Sequence, residues 1–403
     1  MGAAVGDGGV ASAAVIGAGF AGLAAAAALS AAGVAVTVLE REQRVGGRVW
    51  SQTLPSGAII EMGAEFVTEG YTLLPALVSR LGLELAPMGM SFTRREPRAG
   101  IGVDAATLDA ALAALVGAVE AGAGEGLTVA ELLERVPMDA GARELIACRI
   151  QVSYAHPVSL LAAGAVRHVG ELFDDVEARR VAGGNHQLAE RLAATLRVGL
   201  GTPAVRVGQV GGGFRINADL DVDAVVVAVP APATGGIVFD PPLPAWKADA
   251  LERVVYGQAA KLAVPLLSRA RPSSVLSVPE HFWTWTAKDG DGAVAPLVTA
   301  FAGSGPAVDA LRVDEGPERF LERVAALRPD LELDGAAAVL STWPDGAYSA
   351  RQPDRPADLD DRLEGTVGRI AFAGEHTERH WYSTMEGALR SGERAARQLL
   401  GSA

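Results

Sequence analysis

The chain has 403 residues, 49% of them hydrophobic, 21% charged, and a formal net charge of −13. That length exceeds what one hydrophobic core supports, so two domains are expected, and the apolar content excludes a disordered chain. The acidic balance argues against nucleic acid or an anionic membrane surface as partner, and the single cysteine, Cys148, excludes an intramolecular disulfide and suits a reducing, cytoplasmic setting.

After a glycine-rich first dozen residues, expected to fray, the stretch AAVIGAGFAGLAAAAALSAAGVAVTVLE is long and apolar. No basic residues precede it and glycines interrupt it, so it reads as βαβ rather than a membrane span or signal peptide. Residues 13–16 make a short buried strand, 21–32 a run of strong helix formers stopped by Gly33, and 34–39 a second, β-branched strand. Gly17, Gly19 and Gly22 fall on the turn: the first for its tightness, the second for close approach to a pyrophosphate, the third for packing of the helix. Glu40 ends the second strand, where a carboxylate can accept ribose hydroxyls. This order of elements indicates a dinucleotide site without separating NAD from FAD.

Next come REQRVGGRVWS, with Gly46, Gly47 and Arg48, and IIEMGAEFV, with Gly63, Ala64 and Glu65. Residues 71–180 are rich in alanine and leucine at helical spacing, and Cys148, in ELIACRIQ, reads as a buried inert thiol. GGNHQLAERLA is a glycine turn and helix, TPAVRVGQVGGGFRI a hairpin, and DVDAVVVAVPAP a buried strand ended by Pro230. VVYGQAAKLAVPL is a strand carrying Lys261, one of only three lysines, with Ala259 and Ala263 on its face and no acid beside it in sequence. Either that ammonium serves chemistry or it snorkels to solvent from an edge strand. HFWTWTA and PLVTAFAGSG are strand-like, and STWPDGAYSARQP carries Trp343 and Tyr348. The C-terminal run RIAFAGEHTERHWYSTMEGALRSGERAARQLL predicts a strand, a loop and a last helix starting at a capping box of Ser383 and Glu386, with free N–H groups at Thr384 to Glu386. His376 and His380 lack the glutamate that a zinc-protease helix places after its first histidine, so no metal is expected; no GxSxG elbow is present.

Taken in order, these segments resemble the flavin-containing amine oxidase family, the monoamine and polyamine oxidase-like FAD oxidoreductases. The resemblance implies an α/β fold: a Rossmann-like FAD-binding domain of the GR2 flavoprotein type (1–70, 181–240 and 340–403) with an inserted α+β substrate-binding domain (71–180 and 241–339). It implies non-covalent FAD, because Ala347 stands where some members carry the cysteine that attaches the flavin. Cofactor contacts are carried over to Gly17, Gly19, Gly22, Glu40, Arg41, Gly47, Arg48, Gly63, Ala64, Glu65, Val205, Gly374, Glu375, Thr384, Met385 and Ala388. Arg48 would neutralise the diphosphate, Val205 cover the adenine end, and Glu375 approach the ribityl region.

Lys261 matches the family's lysine that holds a water against flavin N5, and Trp343 and Tyr348 match the aromatic wall before the flavin. Phe66, Trp283, Phe301, Trp381 and Thr384 are candidate pocket walls. Thr384 stands where monoamine oxidases complete an aromatic cage, which leaves the cage half missing unless Trp381 or Tyr382 fills it. Glu65 and Phe66 stand where L-amino acid oxidases place a carboxylate-clamping arginine, so an amino acid substrate loses support.

The implied reaction is oxidation of an amine, a hydride passing from its α-carbon to flavin N5 to give an imine, with O2 reduced to hydrogen peroxide. Two alternatives share the FAD motifs: a desaturase or dehydrogenase acting on a carbon–carbon bond, and a flavin-binding protein with an incomplete site. The partners expected are a small amine and O2, no membrane anchor is expected, and a homodimer is left open.

Overall fold

The computed structural model describes residues 9–344 and 346–401; the first eight of the residues expected to fray lie outside that range. A parallel five-stranded sheet runs in the order Ile370–Phe372, Ala224–Val227, Ser12–Ile16, Ala35–Leu39, Arg197–Gly199. Its central strands are continuous apolar runs because helices cover the sheet. Helix Phe20–Ala31 is alanine-rich for a packing reason. It lies against the last helix, Met385–Leu400, so closely that a Cβ on Gly392 would sit 2.2 Å from the Ala21 carbonyl oxygen. Small side chains on both partners allow that approach.

The expected hairpin forms as Arg206–Val210 and Gly213–Ile216, within a four-stranded sheet. A six-stranded sheet makes the second layer system, ordered Val339–Trp343, Ala259–Pro265, Leu297–Gly303, Phe282–Thr286, Ser273–Ser277, Glu96–Arg98. Helices Ala105–Glu120, Val129–Arg135 and Ala140–Tyr154 pack beside it around Leu115, Leu132, Ile146 and Ile150. Within them Cys148 is fully buried, and burial pushes its thiol up to about 12.

One alternative falls and one expectation needs correction. The strand carrying Lys261 is not an edge strand: Lys261 pairs with Phe301 on one side and Ser341 on the other, so its side chain has no edge from which to reach solvent. The last helix does not begin at a Ser383–Glu386 capping box. Thr384 is the N-cap, accepting from Gly387 N at 3.0 Å, while Ser383 takes a positive φ of 64° ahead of it. Glu386 reaches away and caps a different helix, Leu73–Arg80, accepting from Thr72, Leu73 and Leu74 N at 3.1, 2.9 and 2.8 Å. Leu74, Leu77 and Val78 of that helix belong to the core under the parallel sheet. No helix of the described residues is long and apolar enough to cross a membrane.

Candidate active site

A cavity of about 550 Å³ begins at the turn after the first strand and runs along the C-terminal ends of the parallel strands. Gly17 forms the turn with φ +102°, where an added Cβ would lie 2.9 Å from the Ala228 carbonyl oxygen, while the equivalent space at Gly19 is open. Gly22 is not exposed to the cavity. It underlies the turn, since a Cβ there would meet the Gly17 carbonyl oxygen at 1.9 Å. Glu40 closes the second strand with both oxygens engaged by backbone, accepting from Ala18 N at 2.7 Å and Glu42 N at 2.9 Å. Each oxygen keeps a second lone pair for a ribose hydroxyl.

The loop carrying Gly46, Gly47 and Arg48 is strapped to this turn by a bond from Gly46 N to Ala18 O at 2.8 Å. Gly47 faces Gly19 across the cavity wall. Arg48 donates to Glu375 Oε1 at 2.7 Å. Burial would lower the guanidinium's pKa, yet Glu375 beside it raises it overall; burial would raise Glu375, yet Arg48 holds that carboxyl below its usual range. Glu375 also accepts from the Ser383 amide at 2.8 Å and from the Ser349 hydroxyl. Arg41, Ala64, Gly374, Thr384, Met385 and Ala388 complete the wall at different depths, and Val205 lines it while 54% exposed.

His376 is a lining residue that the sequence pointed to only as a rejected metal ligand. Burial pushes it down to about 4, so it is neutral, and its Nδ1 is buried with no partner.

Behind the inner end of the cavity stand the groups around Glu65. Lys261 Nζ donates to Glu65 Oε2 at 2.7 Å and to the Gly63 carbonyl at 3.1 Å, with the two side chains only 7% and 3% exposed. The missing acid is therefore supplied by a residue 196 positions away in sequence. Glu65 Oε1 also accepts from Arg180 Nη1 at 3.4 Å and Trp285 Nε1 at 3.3 Å, and Arg180 pairs with Asp289 at 2.7 Å. Arg180 and Asp289 carry no sequence motif. Only the pairing of distant strands identifies them. Two of the three ammonium protons of Lys261 have protein acceptors among the described residues, and the third is left for water.

Gly63 fits against the Arg48 carbonyl, 2.0 Å from where its Cβ would stand, and Trp343 donates to the neighbouring Met62 carbonyl at 2.8 Å. Tyr348 lines the cavity, its phenol pushed up to about 12 by burial and so uncharged. Phe301 stands 6.2 Å from it, and Phe66, Trp283 and Trp285 continue the aromatic cluster, with Trp283 stacked on Trp285 at 4.3 Å. Two candidate walls are engaged by other groups. Trp381 meets Tyr71 edge-on at 5.4 Å, and the Thr384 hydroxyl is spent on its cap and on the Trp381 carbonyl at 2.6 Å. Among the described residues no group of three or more histidine, cysteine or acidic side chains could hold a metal ion.

These features fit an FAD molecule. Open space at Gly19, an arginine at the loop, an apolar side chain at Val205 and an unpartnered buried nitrogen at His376 Nδ1 occur along one cavity.

The model of the flavin-containing amine oxidoreductases matches residues 20–142 and 150–400. The pig amine oxidase [flavin-containing] B, from Sus scrofa, is 26% identical over 96% of this chain and 85% of its own length. The cyclohexylamine oxidase of Brevibacterium oxydans superposes with a TM-score of 0.84 at 22% identity, covering 97% of this chain and 99% of that one. A putrescine oxidase solved with putrescine gives 0.83 at 24% identity, with the same coverage. At those identities the superpositions speak for the fold.

Proposed function

The chain belongs to the flavin-containing amine oxidoreductases, and on that premise we infer how its own residues serve FAD-dependent oxidation of an amine. FAD, when bound, supplies the acceptor for the α-carbon hydride and the route of its electrons to O2, giving hydrogen peroxide. The amine and O2 are the small-molecule partners.

The backbone at Gly17 and Gly19 would hold the diphosphate with Arg48 as its counter-charge, Glu40 and Val205 would hold the adenosine end, and the unpartnered Nδ1 of the neutral His376 imidazole would meet the ribityl chain. Ala64 and the start of the last helix would flank the ring, and the Thr384–Met385 end, with the partial positive charge of a helix N-terminus, would favour negative charge there. Ala347 leaves no nucleophile for covalent attachment, so the cofactor is held non-covalently. Tyr348 and Trp343 orient a neutral amine with their ring faces and exclude water. Lys261 holds a water through its free N–H, and Glu65 fixes the direction of that ammonium.

The single observation that carries this reading is the Lys261–Glu65 pair anchored on the Gly63 carbonyl, next in sequence to Ala64, which lines the cavity with Tyr348. Anaerobic mixing of the FAD-loaded protein with a panel of primary, secondary and polyamines tests it. At least one amine should bleach the flavin, and admission of O2 should restore the colour with release of peroxide. A panel in which no amine bleaches it would overturn the reading.

A further inference from the structure

Arg95 lies in the connection between strands Leu85–Ser91 and Glu96–Arg98, far in sequence from every motif above. It is 8% exposed. Its guanidinium carbon stacks 3.6 Å over the Trp283 ring, inside the aromatic cluster that reaches Tyr348. Nε donates to the Phe92 carbonyl at 3.2 Å, but Nη1 is buried with no hydrogen-bond partner, and Arg95 makes no ion pair with any described carboxylate.

The nearest strong charge makes matters worse. Arg149 is also buried, and both burial and its like charge hold the Arg95 pKa well below the usual arginine value. Arg149 itself is saturated by neutral acceptors: the Thr93 and Leu172 carbonyls and the Ser153 hydroxyl, at 2.9, 2.8 and 2.8 Å. It therefore reads as the brace that holds the 92–95 segment in place. Arg95 has no such account. An unpaired buried guanidinium with an open donor is costly, and chains retain one where a ligand supplies the anion. Arg95 is also near Tyr348: its charge acts on the buried phenol ahead of that of Arg48 at the cofactor loop.

We propose that the amine oxidised by this protein carries a carboxylate, and that Arg95, stacked on Trp283 with its Nη1 unpaired, is the residue that receives it. The amino group then lies before Tyr348 while the carboxylate lies on the guanidinium, a planar fork suited to two parallel bonds. This rests on the amine-oxidase reading and narrows its substrate class to amino-acid-like amines. The arginine comes from a segment remote in sequence from Gly63–Ala64.

Matched pairs test it in the FAD-loaded enzyme: phenylethylamine against phenylalanine, tyramine against tyrosine, putrescine against ornithine, each followed by anaerobic flavin bleaching. The carboxylated member of at least one pair should have the higher kcat/KM. Arg95→Met should raise its KM by about 30-fold or more, the loss expected when one partner of a desolvated charge pair is removed, with the plain amine little changed. Arg95→Lys should restore part of the difference.

Two further readouts do not depend on turnover. Benzoate, which cannot be oxidised, should shift the flavin spectrum and tryptophan fluorescence of the native enzyme and not of Arg95→Met. The unliganded Arg95→Met protein should also melt at a higher temperature than the native one, because an unpaired charge has been replaced by an apolar side chain. Plain amines preferred throughout with that preference unmoved by Arg95→Met, or a lowered Tm with no effect on benzoate, would make Arg95 a packing residue and overturn the proposal. A shift given equally by chloride would reduce it to an adventitious anion and overturn it as well. If benzoate binds through Arg95 but no amine of either kind bleaches the flavin, the carboxylate site stands and the amine-oxidase reading fails. If plain amines alone react and benzoate never binds, the reverse holds.

Discussion

Glu65 accepts from three donors at once, so the cation behind the cavity is part of a neutral set of Lys261, Glu65, Arg180 and Asp289. Removing one member exposes the others. Lys261→Met is expected to slow reoxidation of the reduced enzyme by O2, measured by stopped flow, and to cost about 3 kcal/mol of stability because Glu65 loses its closest partner. The double variant Lys261→Met/Glu65→Gln should recover much of the stability while reoxidation stays slow. If the double variant regains the oxidation rate, the lysine serves packing alone.

A second acid close by behaves differently. Burial pushes Glu61 up to about 7 despite bonds from Asn185 N and the Ser51 hydroxyl, both at 2.7 Å. A carboxyl raised in the folded state keeps a proton that the unfolded chain has released. Stability should therefore fall as pH rises from about 4.5 through 7, by on the order of 3 kcal/mol from this group. Thermal melts between pH 5 and 8 should show that slope in the native protein and a flatter one in Glu61→Gln.

At the scale of elements, one side chain joins two helices. Glu386 is fully buried in the first turn of Met385–Leu400, yet three of its acceptor bonds go to the N-terminus of Leu73–Arg80, and Arg390 donates to it at 2.8 Å. It serves as the cap of a helix remote in sequence and ties that helix to the wall of the cavity. Burial opposes the charge, but the three backbone N–H groups and Arg390 hold the carboxyl below its usual range. Its contribution is thus complete above the ordinary carboxylate pKa and is lost as pH falls through the depressed one. Glu386→Ala should cost about 3 kcal/mol. Hydrogen exchange should show faster exchange at Leu73 and Leu74 before any other helix loosens; uniform loosening would contradict the capping role.

For the whole molecule, the cavity gathers, besides Ala64, three stretches of chain: residues 16–49, 203–237 and 343–388. A ligand that touches all three stabilises the fold by mass action, by about 4 kcal/mol when present at 1,000 times its Kd. FAD should accordingly raise Tm strongly. Arg48→Met should abolish most of that rise and yield protein purified with little flavin, because it removes a phosphate counter-charge and leaves Glu375 buried without its cation. An unchanged flavin content and Tm shift would remove Arg48 from the cofactor site.

The cofactor half of this protein is written locally. Gly17, Gly19, the helix after them and Glu40 lie within 24 consecutive residues, and turn geometry and strand burial are short-range constraints that a sequence displays directly. The final helix was legible in the same way, although its cap was not: Ser383 and Glu386 have the right spacing, but Glu386 found stronger donors on a helix more than 300 residues away in sequence. Position 261 stood out because lysine is rare here, and no local pattern names Glu65 or Arg180 as its company. Arg95 gave no signal at all in a chain rich in arginine. Charge pairing and desolvation act through space. Which acid a lysine meets, and which arginine is left without one, is decided only when distant strands are brought into register.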